Sequence, residues 1–349
     1  MIHIFTPSFA DENDTNAQNL TVKEIVARLD SHEFRITMLA EDRPDARIAQ
    51  RPNTRLLGWR KRGNTARTIA ALLREPPDIY FFPREGPLDA VFLALQPYLF
   101  RHTVLVTYFV SGGLYNPDPV APGKMRNIAR AAVVVGNNAY LSELAAKRFQ
   151  VPVTTIHDGA DPRFFFPAGL TIDPPVVLFA GSLRPYKRAA FMVQLAASRP
   201  HVRFRLAGTG EDEAMCRKII AERSMTNVEF LGHLSPGELG EEMRRSSILF
   251  HPSILEGHPQ VFIQAAACGL PVVALDLYHP DAVVNGETGF LAVDDADLES
   301  CLDRLLADSG LRRTMSEKSL AHAKSFSWDD AASRWRTCFL DAMAKRKER

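Results

Sequence analysis

Short apolar runs of strand length alternate with segments of helical periodicity along the first half of the chain. Apolar runs bounded by turn residues are typical of buried strands, and apolar residues three or four apart are typical of amphipathic helices. Their alternation predicts a parallel sheet with helices on both faces. The predicted strands are residues 2–6, 34–40, 54–59, 78–82, 103–109 and 131–136, and the predicted helices are residues 20–30, 65–74, 88–99, 124–130 and 140–149.

The same alternation begins again after residues 162–175, which are rich in proline and phenylalanine and which we predict to connect two domains. We expect a Rossmann-like first domain over residues 1–165 and a second α/β domain over residues 166–326. We expect a further helix over residues 327–349. In open parallel sheets, ligands bind outside the carboxyl ends of the strands. The strands predicted in the second domain are residues 176–180, 202–207, 227–231, 247–251, 271–275 and 289–293.

The composition is that of a globular protein. With 46% hydrophobic residues, 24% charged residues and a formal net charge of +1, the chain has neither the bias of a disordered protein nor the basic excess of a nucleic-acid-binding one. Its four cysteines are widely spaced, so we expect neither a disulfide framework nor a zinc site. Because no signal-peptide pattern and no apolar stretch of ~20 residues is present, we expect a cytoplasmic protein.

The segment from His251 to Ala274 combines an acidic loop, a short helix and a buried strand. Glu256 precedes the helix, Pro259 suits its first turn, and Gly269 suits its end. A glutamate before a helix N-terminus places one acceptor beside several free N–H donors. This combination suits a ligand that carries both hydroxyl groups and phosphates.

Cations follow the first strand of the second domain. That strand ends at Gly181 and is followed by Arg184 and Lys187, at the strand end where an anion can be held against a helix start. Gly208 and Gly210 follow the next predicted strand, where a tight turn alone would also require glycine. These residues indicate either an anion site or a solvated loop, and the downstream glutamate motif favours the anion site.

Together these segments resemble the donor-binding half of family 4 glycosyltransferases. The family pattern is Pro-Ser, Glu-Gly and a second glutamate eight residues after the first; Glu256 matches the first glutamate, and Gln264 replaces the second. Lys187 falls on the family's lysine, Ser182 replaces its arginine, and Arg184 lies two residues further on. The resemblance covers most of the chain, strongly from about Asp158 to Val293 and weakly before that. It also implies that the helix over residues 327–349 packs back on the first domain, although the residues alone fit a final packing helix with a frayed basic end equally well.

The resemblance implies a GT-B fold, in which two Rossmann-like, doubly wound domains face each other across a cleft. It also implies a hexosyltransferase-like enzyme that moves a sugar from a nucleotide diphosphate sugar, with UDP or GDP, to a hydroxyl acceptor with retention of anomeric configuration. No divalent metal and no other cofactor is expected. The implied catalytic residues are Lys187, Arg184 and Glu256, and the implied donor contacts are Gly181, Ser182, Gly208, Gly210, His233, Leu234, Gly257, His258, Pro259, Gln260 and Gln264.

The first domain departs further from the family pattern. The loop after its first strand carries polar residues instead of a glycine pair. We assign Asn16 and Asn19 to acceptor contact, although such residues serve equally well in a solvated loop that caps the next helix. Tyr108 takes the place of the family's histidine, and a tyrosine donates a hydrogen bond but is a poor general base near neutral pH. We place Tyr108 on the acceptor side as well.

Nine arginines and lysines, against the single acid Asp45, lie between Arg43 and Arg74 and give this segment a net charge of +8. Such a run is usually a solvated face, but it can also contact anionic lipids at the inner face of a membrane or a phosphorylated acceptor. Pro44 and Pro52 argue against one continuous amphipathic helix there. No nucleic acid partner is expected.

Two alternatives keep the same fold. A binding protein that retained the donor cleft but lost turnover would explain Ser182, Gln264 and Tyr108 together. A sugar-nucleotide epimerase would interconvert donors without an acceptor, although we find no paired carboxylates for that chemistry. A nicotinamide dehydrogenase is disfavoured because no Gly-x-Gly-x-x-Gly follows the first strand. The sequence leaves open the donor base and sugar, the acceptor, the linkage and the oligomeric state.

Overall fold

The computed structural model describes residues 1–12, 17–59, 63–82, 86–109, 122–167 and 174–347. The chain divides into two compact units. The first unit is Met1–Asp158 together with Trp328–Arg349, and the second unit is Gly159–Ser327. The division follows Asp158 rather than Phe165, the boundary expected from the sequence.

Phe164 explains why the second unit begins earlier than expected. Its carbonyl oxygen accepts a hydrogen bond from Arg244 Nη1 at 2.8 Å. Gly240 lies so close to the same carbonyl that a Cβ there would be 2.1 Å from the oxygen. Phe164, which lies inside the predicted connection of residues 162–175, therefore packs with the second unit.

Among the described residues, the first unit is built on a parallel sheet of seven strands. The strands are β1 (Ile2–Phe9), β2 (Phe34–Ala40), β3 (Thr54–Gly58), β4 (Ile79–Phe82), β5 (Val104–Phe109), β6 (Val133–Gly136) and β7 (Thr154–Thr155). The helices are α1 (Ala17–Arg28), α2 (Ala46–Ala49), α3 (Asn64–Arg74), α4 (Pro87–Leu99), α5 (Pro122–Ala129) and α6 (Ala139–Phe149). The strand order is β3-β2-β1-β4-β5-β6-β7.

The second unit repeats this architecture with a parallel sheet of six strands in its described part. The strands are β8 (Val176–Ala180), β9 (Arg203–Ala207), β10 (Val228–Gly232), β11 (Ile248–His251), β12 (Val272–Leu275) and β13 (Gly289–Ala292). The helices are α7 (Ala189–Ala197), α8 (Glu213–Glu222), α9 (Pro236–Arg244), α10 (Gln260–Cys268), α11 (Asp295–Ala307) and α12 (Ser309–Ala323). The strand order is β10-β9-β8-β11-β12-β13.

The central strands explain why the apolar runs of the sequence predict a parallel sheet. Every residue of β4, β6, β11 and β12 is buried. Strands that are covered by helices on both faces carry continuous apolar runs rather than alternating ones. The predicted alternation of strands and helices is therefore confirmed in both units.

Each sheet has one point at which the strand order reverses, between β1 and β4 in the first unit and between β8 and β11 in the second. Loops on the two sides of such a switch point leave the sheet in opposite directions and open a crevice at the carboxyl ends of the strands. These are the places where the fold prepares a ligand site.

The last helix, α13 (Trp328–Lys347), belongs to the first unit. The Trp335 ring lies 4.9 Å from the ring of Phe81, and the Phe339 ring lies 5.5 Å from Phe81 and 6.2 Å from Phe34. Trp335 is 1% exposed. Burial of large aromatic side chains stabilises the attachment of this helix to the first sheet.

The sequence pattern misses two short elements, α2 and β7. They contain four and two residues respectively, which is too few for a helical or strand periodicity to be visible. α2 forms because the Asp45 carboxylate caps it, accepting a hydrogen bond from the backbone of Arg47 at 2.9 Å.

Candidate active site

Loops that follow three neighbouring strands meet at the carboxyl edge of the second sheet. Gly181, after β8, donates its N–H to the Ala207 carbonyl at the end of β9 (3.0 Å), and Gly208 donates to the Gly232 carbonyl at the end of β10 (2.7 Å). Gly208 has a φ of +137°, and a Cβ there would lie 1.9 Å from the Gly181 carbonyl oxygen. Only glycine permits this close approach, so Gly208 and Gly210 hold the loops of this edge together.

Lys187 lies at this edge in a 3₁₀ turn, Pro185–Lys187, between β8 and α7. The carbonyl oxygen of Tyr186 in that turn accepts hydrogen bonds from the Ser253 hydroxyl (3.2 Å) and from the backbone N–H of Ile254 (3.0 Å). Ser253 and Ile254 belong to the loop after β11, and Ser253 is fully buried. The loops on the two sides of the switch point are therefore bonded to each other.

A buried cluster of three ionisable side chains lies between these loops. Lys187 Nζ and His251 Nε2 both contact Oε1 of Glu256, and the His251–Glu256 distance is 2.8 Å. The side chains of Glu256, Lys187 and His251 are 10%, 14% and 0% exposed. A buried carboxylate is costly unless it is paired and hydrogen-bonded. Here both requirements are met at a single oxygen.

The cluster fixes the protonation state of Glu256. Burial raises the pKa of its carboxyl group, but the hydrogen bond from His251 and the charge of Lys187 outweigh burial and lower the pKa to about 2. Burial lowers the pKa of His251, so the imidazole is neutral at neutral pH. We assign its proton to Nε2, because that nitrogen faces the carboxylate. Glu256 is therefore an ionised hydrogen-bond acceptor rather than a proton donor.

Glu256 and Lys187 both keep hydrogen-bonding capacity for a ligand. In the described part of the chain, Oε2 of Glu256 accepts no hydrogen bond, because both donors contact Oε1. The Lys187 ammonium has three N–H donors, and one of them is directed at Glu256. The site thus offers a fixed acceptor oxygen beside a cation with free donors.

Helix α10 brings its N-terminus to the same edge. It begins at Gln260, and Pro259 is its N-cap residue. The sequence predicts Pro259 in the first turn of the helix, whereas in the structure it lies one residue before that turn. The helix ends at Cys268 and is followed by Gly269, whose φ of 72° needs glycine, as expected. Gln264 lies in the second turn and is half-buried. Charge of the helix dipole at this N-terminus favours an anionic ligand group.

The predicted site residues in the loops of this edge differ in their exposure. Ser182 and Arg184 are exposed in the loop after β8, and Arg184 makes no ion pair within the described residues. His233 and Leu234 lie in the loop between β10 and α9, with His233 exposed. His258 is 5% exposed, and its ring lies 6.2 Å from the ring of Phe326. The adjoining Gly257 is buried as well.

Two of the three candidates on the acceptor side lie in the described part of the chain, and both are buried in the first unit. Tyr108 is 1% exposed, and its hydroxyl donates to Oδ1 of Asp158 at 2.8 Å. Burial, together with the Asp158 charge, raises the pKa of Tyr108 well above its usual value. Asn19 is 3% exposed, and its Oδ1 accepts from the backbone N–H of Phe9 at 3.3 Å. Both side chains are therefore hydrogen-bonded to other residues of the first unit. Asn16 lies outside the described residues.

The sequence indicates no catalytic or binding role for His251, and it indicates Asp158 only as a turn and boundary residue. His251 ends β11, whose other residues are apolar, and this isolated histidine in a buried strand was the available signal. Asp158 is 3% exposed and accepts hydrogen bonds from Tyr108 and from Asn137 Nδ2 (3.3 Å). Its partners are distant in the sequence, so no local pattern reveals them.

Most of the described cations in the basic segment 43–74 form ion pairs or hydrogen bonds with other residues of the first unit. Arg51 is 8% exposed and donates to the backbone carbonyls of Leu29 (2.9 Å) and Phe34 (3.1 Å). Three other arginines pair with acids outside the segment: Arg43 with Glu12 (3.3 Å), Arg47 with Glu24 (2.7 Å) and Arg55 with Glu75 (3.0 Å). Three of the positive charges in the segment are therefore paired with acids from outside it. Residues 60–62 lie outside the described residues.

Within the part of the chain that the structure covers, no group of three or more His, Cys, Asp or Glu side chains is arranged to hold a metal ion. A search of the same residues found no helix with the length and apolarity needed to cross a membrane.

Comparison with protein families identifies the second unit. Residues 161–322 match the model of the family described as "Glycosyl transferases group 1". Two relatives are D-inositol 3-phosphate glycosyltransferases, one from Streptomyces avermitilis (28% identical over 266 residues, 67% of this chain) and one from Streptomyces bingchenggensis (30% identical over 260 residues, 65% of this chain). The matched region spans 57% of the length of each of these relatives.

Solved structures extend the similarity of fold over nearly the whole chain. Sucrose-phosphate synthase from Thermosynechococcus elongatus matches with a TM-score of 0.83 and 19% identity, covering 99% of this chain and 100% of that chain. Anabaena HepE, in complex with UDP and glucose, matches with a TM-score of 0.74 and 17% identity, covering 97% and 99%. The expected fold class is thereby confirmed. The match of residues 161–322 to a glycosyltransferase family model does not favour the binding-protein and epimerase alternatives. Residues 161–322 therefore resemble the group 1 glycosyltransferases, and the chain has the GT-B fold.

Proposed function

We propose that this chain transfers a glycosyl group from a nucleotide diphosphate sugar to a hydroxyl acceptor, with retention of anomeric configuration and without a divalent metal. The observation that carries the proposal is the buried Lys187–Glu256–His251 cluster at the switch point of the second sheet. A cation with free donors and an ionised acceptor with a free oxygen match a ligand that joins a diphosphate to a polyhydroxyl ring.

The departing nucleotide diphosphate is the charge that such an enzyme must stabilise. Lys187 supplies N–H donors, and the N-terminus of α10 at Gln260 adds its dipole. Arg184, exposed two residues beyond Ser182, is proposed to take the role of the arginine that Ser182 replaces. Donors that are already oriented toward developing charge lower the barrier most, because no reorganisation is required during the reaction.

Glu256 is proposed to hold the sugar rather than to attack it. Its pKa of about 2 keeps it ionised, and an ionised carboxylate can only accept hydrogen bonds. Oε2 would accept from sugar hydroxyls while Oε1 remains bonded to His251. Gln264 is proposed to contact the ribose, and the loop at His233 and Leu234 the base.

The donor base is proposed to be uracil or guanine. Support for uracil comes from the similar HepE structures, which contain UDP or UDP-glucose. The acceptor is proposed to be a hydroxyl group of a glycan, a lipid-linked molecule or a small molecule. Membrane or anionic-acceptor contact through residues 43–74, and a cytoplasmic location, stay predictions; the ion pairs of Arg43, Arg47 and Arg55 leave less free charge for such a contact.

A thermal-shift panel of UDP, GDP, ADP and their glucose conjugates, with and without EDTA, tests the proposal. A ligand at ~100 times its Kd adds about 2.7 kcal/mol of stability, which raises the melting temperature measurably. We expect one nucleotide to stand out and EDTA to leave its effect unchanged. A flat response across the panel would contradict the proposed donor site, and a response that EDTA abolishes would contradict metal independence.

Transfer itself is tested by following nucleotide release with the nucleotide sugar that the panel selects. A retaining transferase releases nucleotide faster when an acceptor is present and slowly by transfer to water without one. Binding of the donor with no release in either condition would favour the catalytically inactive alternative.

A further inference from the structure

His251 occupies a position in the core that an apolar side chain would normally fill. It is 0% exposed and ends β11, a strand whose other residues are apolar. The imidazole stacks 6.1 Å from the ring of Phe179 on β8, and the ring of Phe262 on α10 meets it edge-on at 5.0 Å. Aromatic rings from two other elements thus fix the orientation of the imidazole.

The two nitrogens of this imidazole are used unequally. Nε2 lies 2.8 Å from Oε1 of Glu256, whereas Nδ1 is buried and has no partner among the described residues. A buried polar atom without a partner destabilises a folded protein, and native structures rarely keep one without a compensating role. The only polar contact that compensates here is the one with Glu256.

We propose that His251 is a positioning residue for transfer: its Nε2–H holds Oε1 of Glu256 so that Oε2 is presented to the transferred sugar. This inference rests on the proposed function, since it requires that Glu256 contacts the sugar. It extends that function to a side chain that no ligand reaches, because His251 is completely buried.

Lys187 alone cannot do this once a donor is bound. Its ammonium group is carried by a flexible four-carbon chain and is attracted to phosphate as well as to Glu256. When the diphosphate draws Lys187 away, Oε1 keeps one donor on a rigid support, namely His251 Nε2. The neutral imidazole also adds no positive charge that would compete for the diphosphate.

Two amide substitutions separate the hydrogen bond from the bulk of the side chain. His251→Gln carries an N–H at about the distance of Nε2 from the backbone, so it can still donate to Glu256. His251→Asn carries its N–H about where Nδ1 lies and cannot reach Oε1. Both variants bury one uncharged amide, so Asn is the matched control for Gln.

We expect His251→Asn to lower kcat for the selected nucleotide sugar at least tenfold and to weaken its binding. Binding of the free nucleotide diphosphate, measured by calorimetry with UDP or GDP alone, should stay within twofold of wild type, since these ligands lack the sugar. His251→Gln should recover most of kcat. Equal kcat values for the Gln and Asn variants, or an equal loss of free-nucleotide binding, would overturn the positioning role.

A measurement on the wild-type protein keeps the inference testable if neither variant folds. Nitrogen NMR with labelled histidine should show His251 as the neutral tautomer with its proton on Nε2, and Glu256→Gln should shift that resonance. A proton on Nδ1 would overturn the inference. Because this spectrum needs no ligand, it fails independently of the proposed function, which fails instead if wild type binds no nucleotide sugar.

Discussion

The switch points of the two sheets share one backbone plan and differ in their side chains. Between β8 and β11, Lys187 and Glu256 follow the two strands and form a buried ion pair with capacity left for a ligand. Between β1 and β4, the described residues form a crevice of mainly apolar lining, with Phe9 and Trp59 6.0 Å apart on one side. A parallel sheet prepares a ligand position at each switch point, but the side chains decide what chemistry that position supports.

The polar residues near the first switch point form hydrogen bonds with other residues of the first unit. Tyr108 and Asn137 donate to Asp158, and Asn19 accepts from the backbone of Phe9. In the second unit, by contrast, the hydrogen bonds within the cluster converge on one oxygen and leave the other free. Residual hydrogen-bonding capacity, rather than polarity alone, distinguishes a candidate site from a stabilising network.

The largest expected effect comes from removing the charges of the second switch point. Lys187→Ala and Glu256→Gln should each lower the rate of transfer about 10²–10³-fold, the usual loss when one oriented electrostatic group is removed. The rate should be measured as nucleotide release per folded protein, because Lys187→Ala also leaves a buried carboxylate with one partner fewer.

Lys218→Ala is the control for that comparison. Lys218 pairs with Glu222 at 3.7 Å on the surface of the same unit, and both side chains are more than half exposed. Exposed pairs contribute little to stability, so this variant should behave as wild type. Wild-type rates for both Lys187→Ala and Glu256→Gln would show that the cluster is not the site.

The second prediction concerns the pH dependence of protein stability, which measures the contribution of the Glu256 carboxylate. The pKa of Glu256 is lowered to about 2, below that of a glutamate in the unfolded chain. Its contribution to the free energy of unfolding is therefore present above about pH 4.5 and is lost as the pH falls toward 2. The shift corresponds to at most about 3 kcal/mol.

Urea unfolding of wild type and Glu256→Gln between pH 6 and pH 3 measures this contribution. We expect wild type to be more stable near pH 6 and the difference to shrink as the pH falls. His251 is present in both proteins, so its own titration affects both curves. A difference that is constant over this range would show that the carboxyl group is not held ionised by its neighbours.

The third prediction tests the other side of the comparison, where we expect a loss of stability and no loss of chemistry. Tyr108→Phe removes the hydroxyl that donates to Asp158, which is 3% exposed. A buried acceptor left short of a donor costs about 1–3 kcal/mol. Transfer per folded molecule should stay at the wild-type rate.

Tyr98→Phe serves as the matched control, because Tyr98 is 77% exposed. Its free energy of unfolding should equal that of wild type in chemical denaturation. A Tyr108→Phe variant that keeps its stability but loses transfer would instead support the acceptor-side role that the sequence predicts for Tyr108.

The fold was predictable because its signals are local. β2 and β8 have the same bounds in the structure as in the prediction, since each is an apolar run between turn residues. The position of Lys187 beside Glu256 was predictable only in part. Each residue has a recognisable motif, but they are brought together by hydrogen bonds that the Tyr186 carbonyl accepts from the loop after β11, and these bonds join residues far apart in the sequence.

What could not be predicted depends on partners that no motif contains. Arg47 belongs to a run of positive charge in the sequence, yet in the structure it pairs with Glu24, an acid outside that run. Tyr108 takes a position that the family resemblance assigns to catalysis, and its burial against Asp158 follows from packing on α13 as well. Resemblance identifies a position in the chain, whereas burial and hydrogen-bond partners decide its role.

The smallest expected effect is a change in nucleotide affinity at the edge of the second site. Gln264 replaces the second glutamate of the family pattern and is half-buried in the second turn of α10. Its amide oxygen can accept from a ribose hydroxyl, but it lacks the charge that strengthens such a bond by on the order of 1 kcal/mol. Gln264→Glu should therefore tighten nucleotide binding several-fold, measured by calorimetry with UDP or GDP alone.

Gln194→Glu controls for the added negative charge, since Gln194 is exposed on α7 of the same unit. This variant should leave the Kd unchanged. If Gln264→Glu also leaves the Kd unchanged, the side chain does not meet the ribose, and the replacement of the second glutamate has no bearing on donor affinity. If it weakens binding instead, residue 264 lies nearer the diphosphate than the ribose, because the added carboxylate would repel the phosphates.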